Sequence, residues 1–484
     1  MPTDVLLITS SFEDVSFVTA VDKDDRGIRL SEDSHYPLGL AYLHSYLESR
    51  GNNVHTLALN HIDSEMCFNE VSSIIKQFSP KVIGLQILTP NRVSSYRIIE
   101  YVHENYPHIK LIVGGIHASI MYRQLLEEYP YITAILGEGE ITFAELCESF
   151  CNNWDLNDIN GIAYNRNNDI IVTNQRTLIE DLDDLPFPKH ELFFTGNRTC
   201  GCILTSRGCP FNCSFCALDV VSRRKVRLRS IENVVDEVEH MVANFPLMTS
   251  IWIHDDTFYL DNDRVIAFCD EIIRRRIEID FICSGRMKPL KKEMIKKLEQ
   301  ANFKMVLFGL ESGDNGILRK CHKQITQEDA IKAFKLFSHS PIEVGAFLIV
   351  GLPGETIDTV IETANFVKKL QRIKYAYFHN IAVLTVYPGT EVYKLAQDAG
   401  IIDDGFWLSD KPTPIYTAEN SLEKLFEFKA ILLDNISFNK YFTYDGFKAQ
   451  FLMTPYIIKY ISRYRLRDKL LRIINNLFTT KNKS

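Results

Sequence analysis

The chain has 484 residues, with 54 Lys or Arg against 62 Asp or Glu and a formal net charge of -8; at about 150 residues per domain, this length suggests about three domains. A composition of 46% hydrophobic and 24% charged residues is too apolar for a disordered chain, and the acidic balance gives no general affinity for nucleic acid. No apolar run reaches the roughly 18 residues needed to span a bilayer, and Met1 to Asp4 lack the features of a signal peptide, so a cytoplasmic protein is expected.

Asp4 to Thr9 is a short apolar run ending in a polar residue, the pattern of a buried first strand. Pro37 opens a stretch from Leu38 to Leu47 with apolar positions at helical spacing, and Gly51 follows its end. The alternation continues with strands predicted at Val54 to Leu59, Val82 to Leu85, Leu111 to Val113 and Ala134 to Leu136. Helices are predicted between them at Met66 to Phe78, Val93 to Asn105 and Tyr122 to Tyr129. This order predicts an α/β domain over residues 1–150, a parallel, doubly wound, Rossmann-like sheet whose ligands bind beyond the carboxyl ends of the strands. The loops there are Gly114-Gly115-Ile116-His117 and Gly137-Glu138-Gly139-Glu140. Paired glycines let a backbone approach a large ligand closely, and they serve equally as structural turns.

Residues 151–197 are Asn-rich and acidic, including Glu180 to Pro188, and read as a linker. A second alternating series fills residues 198–395. Its strands are predicted at Gly201 to Ser206, Ser250 to His254, Phe281 to Ser284, Met305 to Gly309, Gly345 to Val350 and Tyr377 to Ala382. Six strand–helix units predict a partial (β/α)6 barrel with its site at the strand carboxyl ends. Residues 396–484 read as a mainly helical region. From Lys459 to Ser484 eight Lys or Arg stand against one acid, a local +7 that leaves -15 on the rest of the chain.

Eleven cysteines are present, and Cys200, Cys202, Cys209, Cys213 and Cys216 crowd together while the other six are scattered. In a reducing compartment such a cluster points to metal binding. Cys209-Pro210-Phe211-Asn212-Cys213-Ser214-Phe215-Cys216 is Cys-x3-Cys-x2-Cys, placed after Ser206-Arg207-Gly208 at the end of a predicted strand. Three thiolates on one loop suit three irons of a four-iron, four-sulfur cluster and leave the fourth iron open to a small chelating molecule. The alternative is a zinc site, completed by Cys200 or Cys202.

The loop, with an aromatic residue before its last Cys, resembles the signature of the radical S-adenosylmethionine (SAM) superfamily. Ile253 to Phe258 lies where members of that superfamily receive the SAM amino group. Cys283 to Arg286 and Phe308 to Gly313 resemble the strand ends that meet its carboxylate and ribose, Ile349 to Thr356 the stretch beside adenine, and Tyr387 to Thr390 the closing loop. The resemblance implies that Cys209, Cys213 and Cys216 hold the 4Fe-4S cluster. It implies SAM contacts from Phe215, Asp255, Asp256, Ser284, Arg286, Glu311, Ser312 and Gly351. It further implies a flavodoxin or ferredoxin type reductant, and one-electron cleavage of SAM to methionine and a 5'-deoxyadenosyl radical.

Pro37 to Leu43, Val113 to Ala118, Gly137 to Glu140 and Asp183 to Pro188 together resemble the cobalamin-binding subgroup, a likeness that covers roughly residues 1–395. It implies corrinoid contacts from Pro37, Gly39, Gly114, Gly115, His117, Gly137, Glu138 and Gly139. Asp33-Ser34-His35-Tyr36-Pro37-Leu38-Gly39 is one residue longer than the Asp-x-His-x-x-Gly that places His on cobalt, and the subgroup usually lacks such a ligand; His117 reads as a loop donor near the corrin. A methylthiotransferase would carry three cysteines in its first domain, whereas only Cys67 precedes Cys147. A sensor built from the same two domains would not need the complete cluster loop. The expectation is therefore a cobalamin-dependent methyltransferase acting on a small-molecule or lipid-like substrate, with a cyclase, rearrangement or oxidation enzyme as the alternative. The basic, apolar stretch Tyr456 to Ile474 reads as a helix able to lie on an anionic membrane or to pack on the barrel.

Overall fold

Short apolar runs set the first sheet. The structure is a computed structural model that describes residues 4–12, 21–24, 27–30, 36–152, 154–194, 198–378 and 381–436. Strand β1 (Asp4–Thr9) is followed by a separate two-stranded hairpin, β2 (Val21–Asp24) and β3 (Gly27–Leu30), and by helix α1 (Leu38–Ser49). Then come β4 (Asn53–Ala58), α2 (Ser64–Phe78), β5 (Val82–Gln86), α3 (Arg92–Asn105), β6 (Lys110–Gly114), α4 (Ile116–Glu128), β7 (Ile132–Ile135) and α5 (Glu140–Asn152). The strands lie in the order β4-β1-β5-β6-β7, all parallel. Side chains alternate across the sheet: Leu6 and Ile8 pack with Val71, Ile99 and Leu125 of α2, α3 and α4. Val5 and Leu7 pack with Leu40 and Leu47 of α1 and Phe143 of α5. The sheet is doubly wound, as its sequence pattern predicts.

Two local departures stand out. Helix α4 begins at Ile116, directly after Gly115, and kinks at Met121, so its start lies ahead of the Tyr122 that the spacing suggests. Within the stretch read as a linker, β8 (Ile162–Arg166) and β9 (Asp169–Val172) extend the sheet as antiparallel strands beside β7. Their two-residue turn is Asn167-Asn168, both at positive φ, the backbone a tight hairpin requires.

The second sheet contains β10 (Cys200–Ile203), β13 (Ser250–Ile253), β14 (Asp280–Gly285), β15 (Phe303–Glu311), β16 (Glu343–Val350) and β17 (Ala376–Tyr377), in that order and parallel; β18 (Ile381–Val383) also pairs with β16. A small antiparallel pair, β11 (Ser206–Arg207) with β12 (Arg227–Leu228), follows β10. Helices α6 (Asp219–Ser222), α7 (Ile231–Asn244), α8 (Asn262–Arg274), α9 (Lys292–Gln300), α10 (Asn315–Lys320), α11 (Gln327–Phe337) and α12 (Ile357–Ile373) connect the strands. This is the partial six-stranded barrel. Cys200, Trp252, Ile282, Met305, Leu307, Phe347 and Tyr377 form one apolar cluster drawn from all six strands. His254 and Ser284 stand two residues beyond Trp252 and Ile282 and so share their faces.

Beyond the barrel come α13 (Glu391–Asp398), a 3-10 turn at Asp404–Leu408 and α14 (Leu422–Asn435). Trp407, Tyr393 and Tyr416 pack with Met121 of α4 and Leu352 of the barrel. Residues through Asn435 form one contact-defined unit. His35 and the basic stretch Lys459 to Ser484 lie outside the described residues.

Candidate active site where the two sheets meet

The loop that follows β10 is set from below by a carboxylate. Asp255, just past β13, accepts from Thr205 N (2.6 Å), Ser206 N (3.2 Å) and Ser206 Oγ (2.7 Å), and also from Thr205 Oγ1. Four donors fill the acceptor capacity of a carboxylate, and burial raises its pKa. Asp256 accepts from Gly208 N at 3.0 Å. Asp256 is exposed, yet the protein packed around its carboxyl desolvates it and lifts its pKa to about 6. Gly208 has φ +97°, and a Cβ there would overlap the Lys225 carbonyl, so the turn into the cysteine loop requires glycine.

Beyond that turn Cys209 and Cys213 are half-buried and Cys216 is exposed, all three as free thiols. Ser214 fixes the middle of the loop: its N–H donates to the Cys321 carbonyl and its carbonyl accepts from Val392 N, each at 3.1 Å. Desolvation by the surrounding protein raises Cys209 and, although its surface is exposed, pushes Cys216 up to about 11, so metal binding there must displace protons. Among the described residues no three His, Cys, Asp or Glu side chains converge on a single metal position.

Arg286, just past β14, stacks on Phe211 with its guanidinium carbon 3.8 Å from the ring centroid, and its Nη1 donates to Cys213 Sγ at 3.8 Å. Its Nε and Nη2 are buried and have no hydrogen-bond partner among the described residues. Two orphaned donors on a buried cation suit a carboxylate. Ser284, on the same strand, is half-buried. Glu311 ends β15 at φ +64° after a register shift, and its Oε1 accepts from Lys323 Nζ at 2.6 Å. Lys323 also stands 5.9 Å from the ring centroid of Phe215. Gly351, at φ +89°, gives its N–H to Glu355 Oε2 at 2.5 Å, and burial lifts that carboxyl to about 7.

The loops of the first sheet come to the same place. A Cβ at Gly137 or Gly139 would meet nothing within 4 Å, and at Gly114 or Gly39 it would find only ordinary contacts at 3.9 and 3.6 Å. The backbone after β6 and β7 is therefore open to close approach. Gly115 differs, because a Cβ there would lie 2.7 Å from the Ile87 carbonyl; it shapes a turn. Pro37 precedes α1 at its N-cap. Ile120 of α4 lies against Gly389 and packs on the same apolar cluster as Phe215 of the cysteine loop.

Several expected contacts have other partners. His117 is fully buried, with Nδ1 3.1 Å from Thr89 Oγ1 and Nε2 3.1 Å from the Tyr96 hydroxyl. Burial, with the Arg92 charge adding to it, lowers its pKa to about 3, and both ring nitrogens have protein partners. Glu138 accepts from Arg207 and Arg227 of the barrel and from Ile179 N. Ser312 is fully buried and faces Thr363 of α12 at 3.2 Å. Asp255 is saturated as described. Sequence reasoning missed Arg207, Arg227, Phe211 and Lys323, although Arg207 directly precedes the Gly208-Cys209 step.

The model of the radical SAM superfamily matches residues 203–367 and that of the B12 binding domain residues 28–147. The chain is 30% identical over 366 residues to an uncharacterized methyltransferase, PH0819, of Pyrococcus horikoshii, covering 74% of this chain and 78% of that protein. It belongs to the cobalamin-dependent radical SAM enzymes. It is also 28% identical to the anaerobic magnesium-protoporphyrin IX monomethyl ester cyclase of Rubrivivax gelatinosus, over 74% of this chain and 66% of that one. The radical SAM methyltransferase TsrM of Kitasatospora setae, solved with cobalamin and a [4Fe-4S] cluster, shares the fold with a TM-score of 0.64 at 20% identity, covering 83% of this chain and 76% of that one.

The cofactors of this radical SAM enzyme are a 4Fe-4S cluster, SAM and cobalamin, and the side chains fit them. Cys209, Cys213 and Cys216 are the thiols available on the loop, Arg286 offers unspent donors beside Cys213, and the glycine backbone after β7 is open.

Proposed function

We propose that the enzyme transfers a methyl group from SAM to an unactivated carbon of a small-molecule or lipid-like substrate. The observation that carries this reading is the 30% identity to a chain named a methyltransferase, over 78% of its length. When bound, the cofactors supply one-electron cleavage of SAM and a methyl carrier. The protein's share is geometric. Cys209, Cys213 and Cys216 hold the cluster; Arg286 orients the SAM carboxylate toward it; Asp256, near the loop base, is the acid available to the amino group. Pro37, Gly39, Gly114, Gly137 and Gly139 lie along the corrinoid face, and Phe215, Ser284, Glu311 and Gly351 border the SAM side. A flavodoxin or ferredoxin type protein serves as reductant. No helix among the described residues is long and apolar enough to cross a membrane. Peripheral contact through the basic stretch Lys459 to Ser484 belongs to this reading only for a lipid-like substrate.

The 28% identity to the Rubrivivax cyclase favours a second reading, ring formation without methyl transfer. The two are separated without knowing the substrate, using anaerobically reconstituted protein with reduced cobalamin and SAM. A methyltransferase releases about one equivalent of S-adenosylhomocysteine per bound cobalamin, and a cyclase releases none. The Cys213→Ala variant should lose dithionite-dependent formation of 5'-deoxyadenosine.

A further inference from the structure

Arg207 is the last residue before the Gly208-Cys209 turn, and its guanidinium reaches out of the barrel. Nη1 donates to Glu138 Oε1 at 3.0 Å and Nη2 to Glu140 Oε1 at 2.7 Å, so one fork spans a carboxylate of the loop after β7 and that of the first residue of α5. Its guanidinium carbon lies 5.0 Å from the Tyr42 ring centroid. Arg227, the strand partner of Arg207 in β11–β12, takes the other Glu138 oxygen at 2.8 Å. Arg229 donates to the Tyr42 hydroxyl at 3.3 Å and pairs with Glu237 at 2.5 Å. Three guanidiniums and three carboxylates thus neutralise one another, and none of the six side chains is more than 16% exposed. Burial alone would raise the Glu138 carboxyl, but Arg227 and Arg207 hold it below its usual range.

Replacing a buried ionic set by well-packed apolar residues of the same volume is often neutral or stabilising, so stability alone is a weak reason for this one, and its place between the two sheets points to orientation. Resting on the cobalamin-dependent radical SAM assignment, we propose that Glu138 and Glu140 are positioning residues for the iron–sulfur cluster. Acting through Arg207, the corrinoid-domain loop sets the orientation of the Cys209 end of the cluster loop. Glu138 and Glu140 do not touch the corrinoid in this account.

The test uses full-length protein reconstituted with cluster and cobalamin, as wild type, Glu138→Gln, Glu140→Gln and Arg207→Lys. Glu140→Gln serves if Glu138→Gln does not fold, because its hydrogen bond to Arg207 is its single side-chain link to the barrel among those described. The readouts are iron and cobalamin per chain, thermal midpoint, SAM affinity, and the electron paramagnetic resonance spectrum of the reduced cluster with and without SAM. The proposal expects cobalamin affinity within about twofold of wild type, SAM affinity down about tenfold and an altered spectrum of the SAM-bound cluster. Arg207→Lys, lacking the planar fork, should show the same signature. A lower thermal midpoint with unchanged spectrum and SAM affinity would reduce the network to a structural role and overturn the proposal. Loss of cobalamin with an unchanged cluster spectrum would overturn it in favour of direct corrinoid contact. Wild-type protein that binds no cobalamin would instead overturn the underlying assignment.

Discussion

Arg286 holds a cluster-loop thiol with one nitrogen and leaves two buried nitrogens without a partner. A charge-assisted hydrogen bond to a carboxylate is worth roughly 1.5–3 kcal/mol, so Arg286→Leu should weaken SAM binding about tenfold to a hundredfold. Iron content should hold near wild type, which calorimetric titration beside an iron assay would check. His117 yields a prediction of opposite character. Its folded pKa is about 3 against an ordinary 6.5, so between those values the unfolded chain binds the extra proton. The stability this imidazole contributes is present above about pH 6.5 and is lost as the pH falls toward 3, by at most about 1.4 kcal/mol per pH unit. Urea midpoints at pH 7 and pH 5 should differ less in His117→Gln than in wild type. An equal difference would mean that another group sets the acid sensitivity.

Among the elements, the turns into the proposed cluster and corrinoid loops are glycine positions with different reasons. Gly208 is trapped by its positive φ and by the Lys225 carbonyl, while Gly139 faces open space. Gly208→Ala should lose at least about 1 kcal/mol to backbone strain and at least half of its reconstituted iron. Gly139→Ala should keep its thermal midpoint and lose cobalamin affinity. Unchanged cobalamin affinity would remove Gly139 from the corrinoid face. The parallel strands were legible because each is a short apolar run between turn residues, and both layers follow from the alternation in β1. Strands β8 and β9 were not, because Asn165, Arg166 and Asp169 make their turn end as polar as a linker. The available signal was Asn167-Asn168, a pair suited to the left-handed backbone of a two-residue hairpin. The cysteine loop stood out by its spacing, and the structure keeps all three of its cysteines as free thiols on one loop. The protein partners of His117, Glu138, Ser312 and Asp255 were not legible, because they lie far away in sequence.

At the scale of the whole molecule, Arg92 fastens the segment after the barrel to the first sheet. Buried at the start of α3, it donates to the carbonyls of Trp407 and Ser409, each at 3.3 Å, and to that of Lys411. Its guanidinium carbon lies 5.4 Å from the Trp407 ring centroid. Arg92→Met keeps an apolar stem but leaves those carbonyls without their donor, a loss of about 3 kcal/mol or more. Urea denaturation should register it, together with faster hydrogen exchange over 404–411.

The ion network around Arg207 also bears on how such enzymes diverge. Swapping the corrinoid half for that of a distant relative would look like a clean exchange of modules, with a cut in the polar stretch after α5. If the incoming half lacked acids at the places of Glu138 and Glu140, Arg207 and Arg227 would lose the carboxylates that pair with them across the boundary. A transferable piece must therefore include residues 206–229 of the barrel, and residues 407–411 for Arg92, along with the first domain, and these stretches are expected to change in step along any lineage that keeps both cofactors.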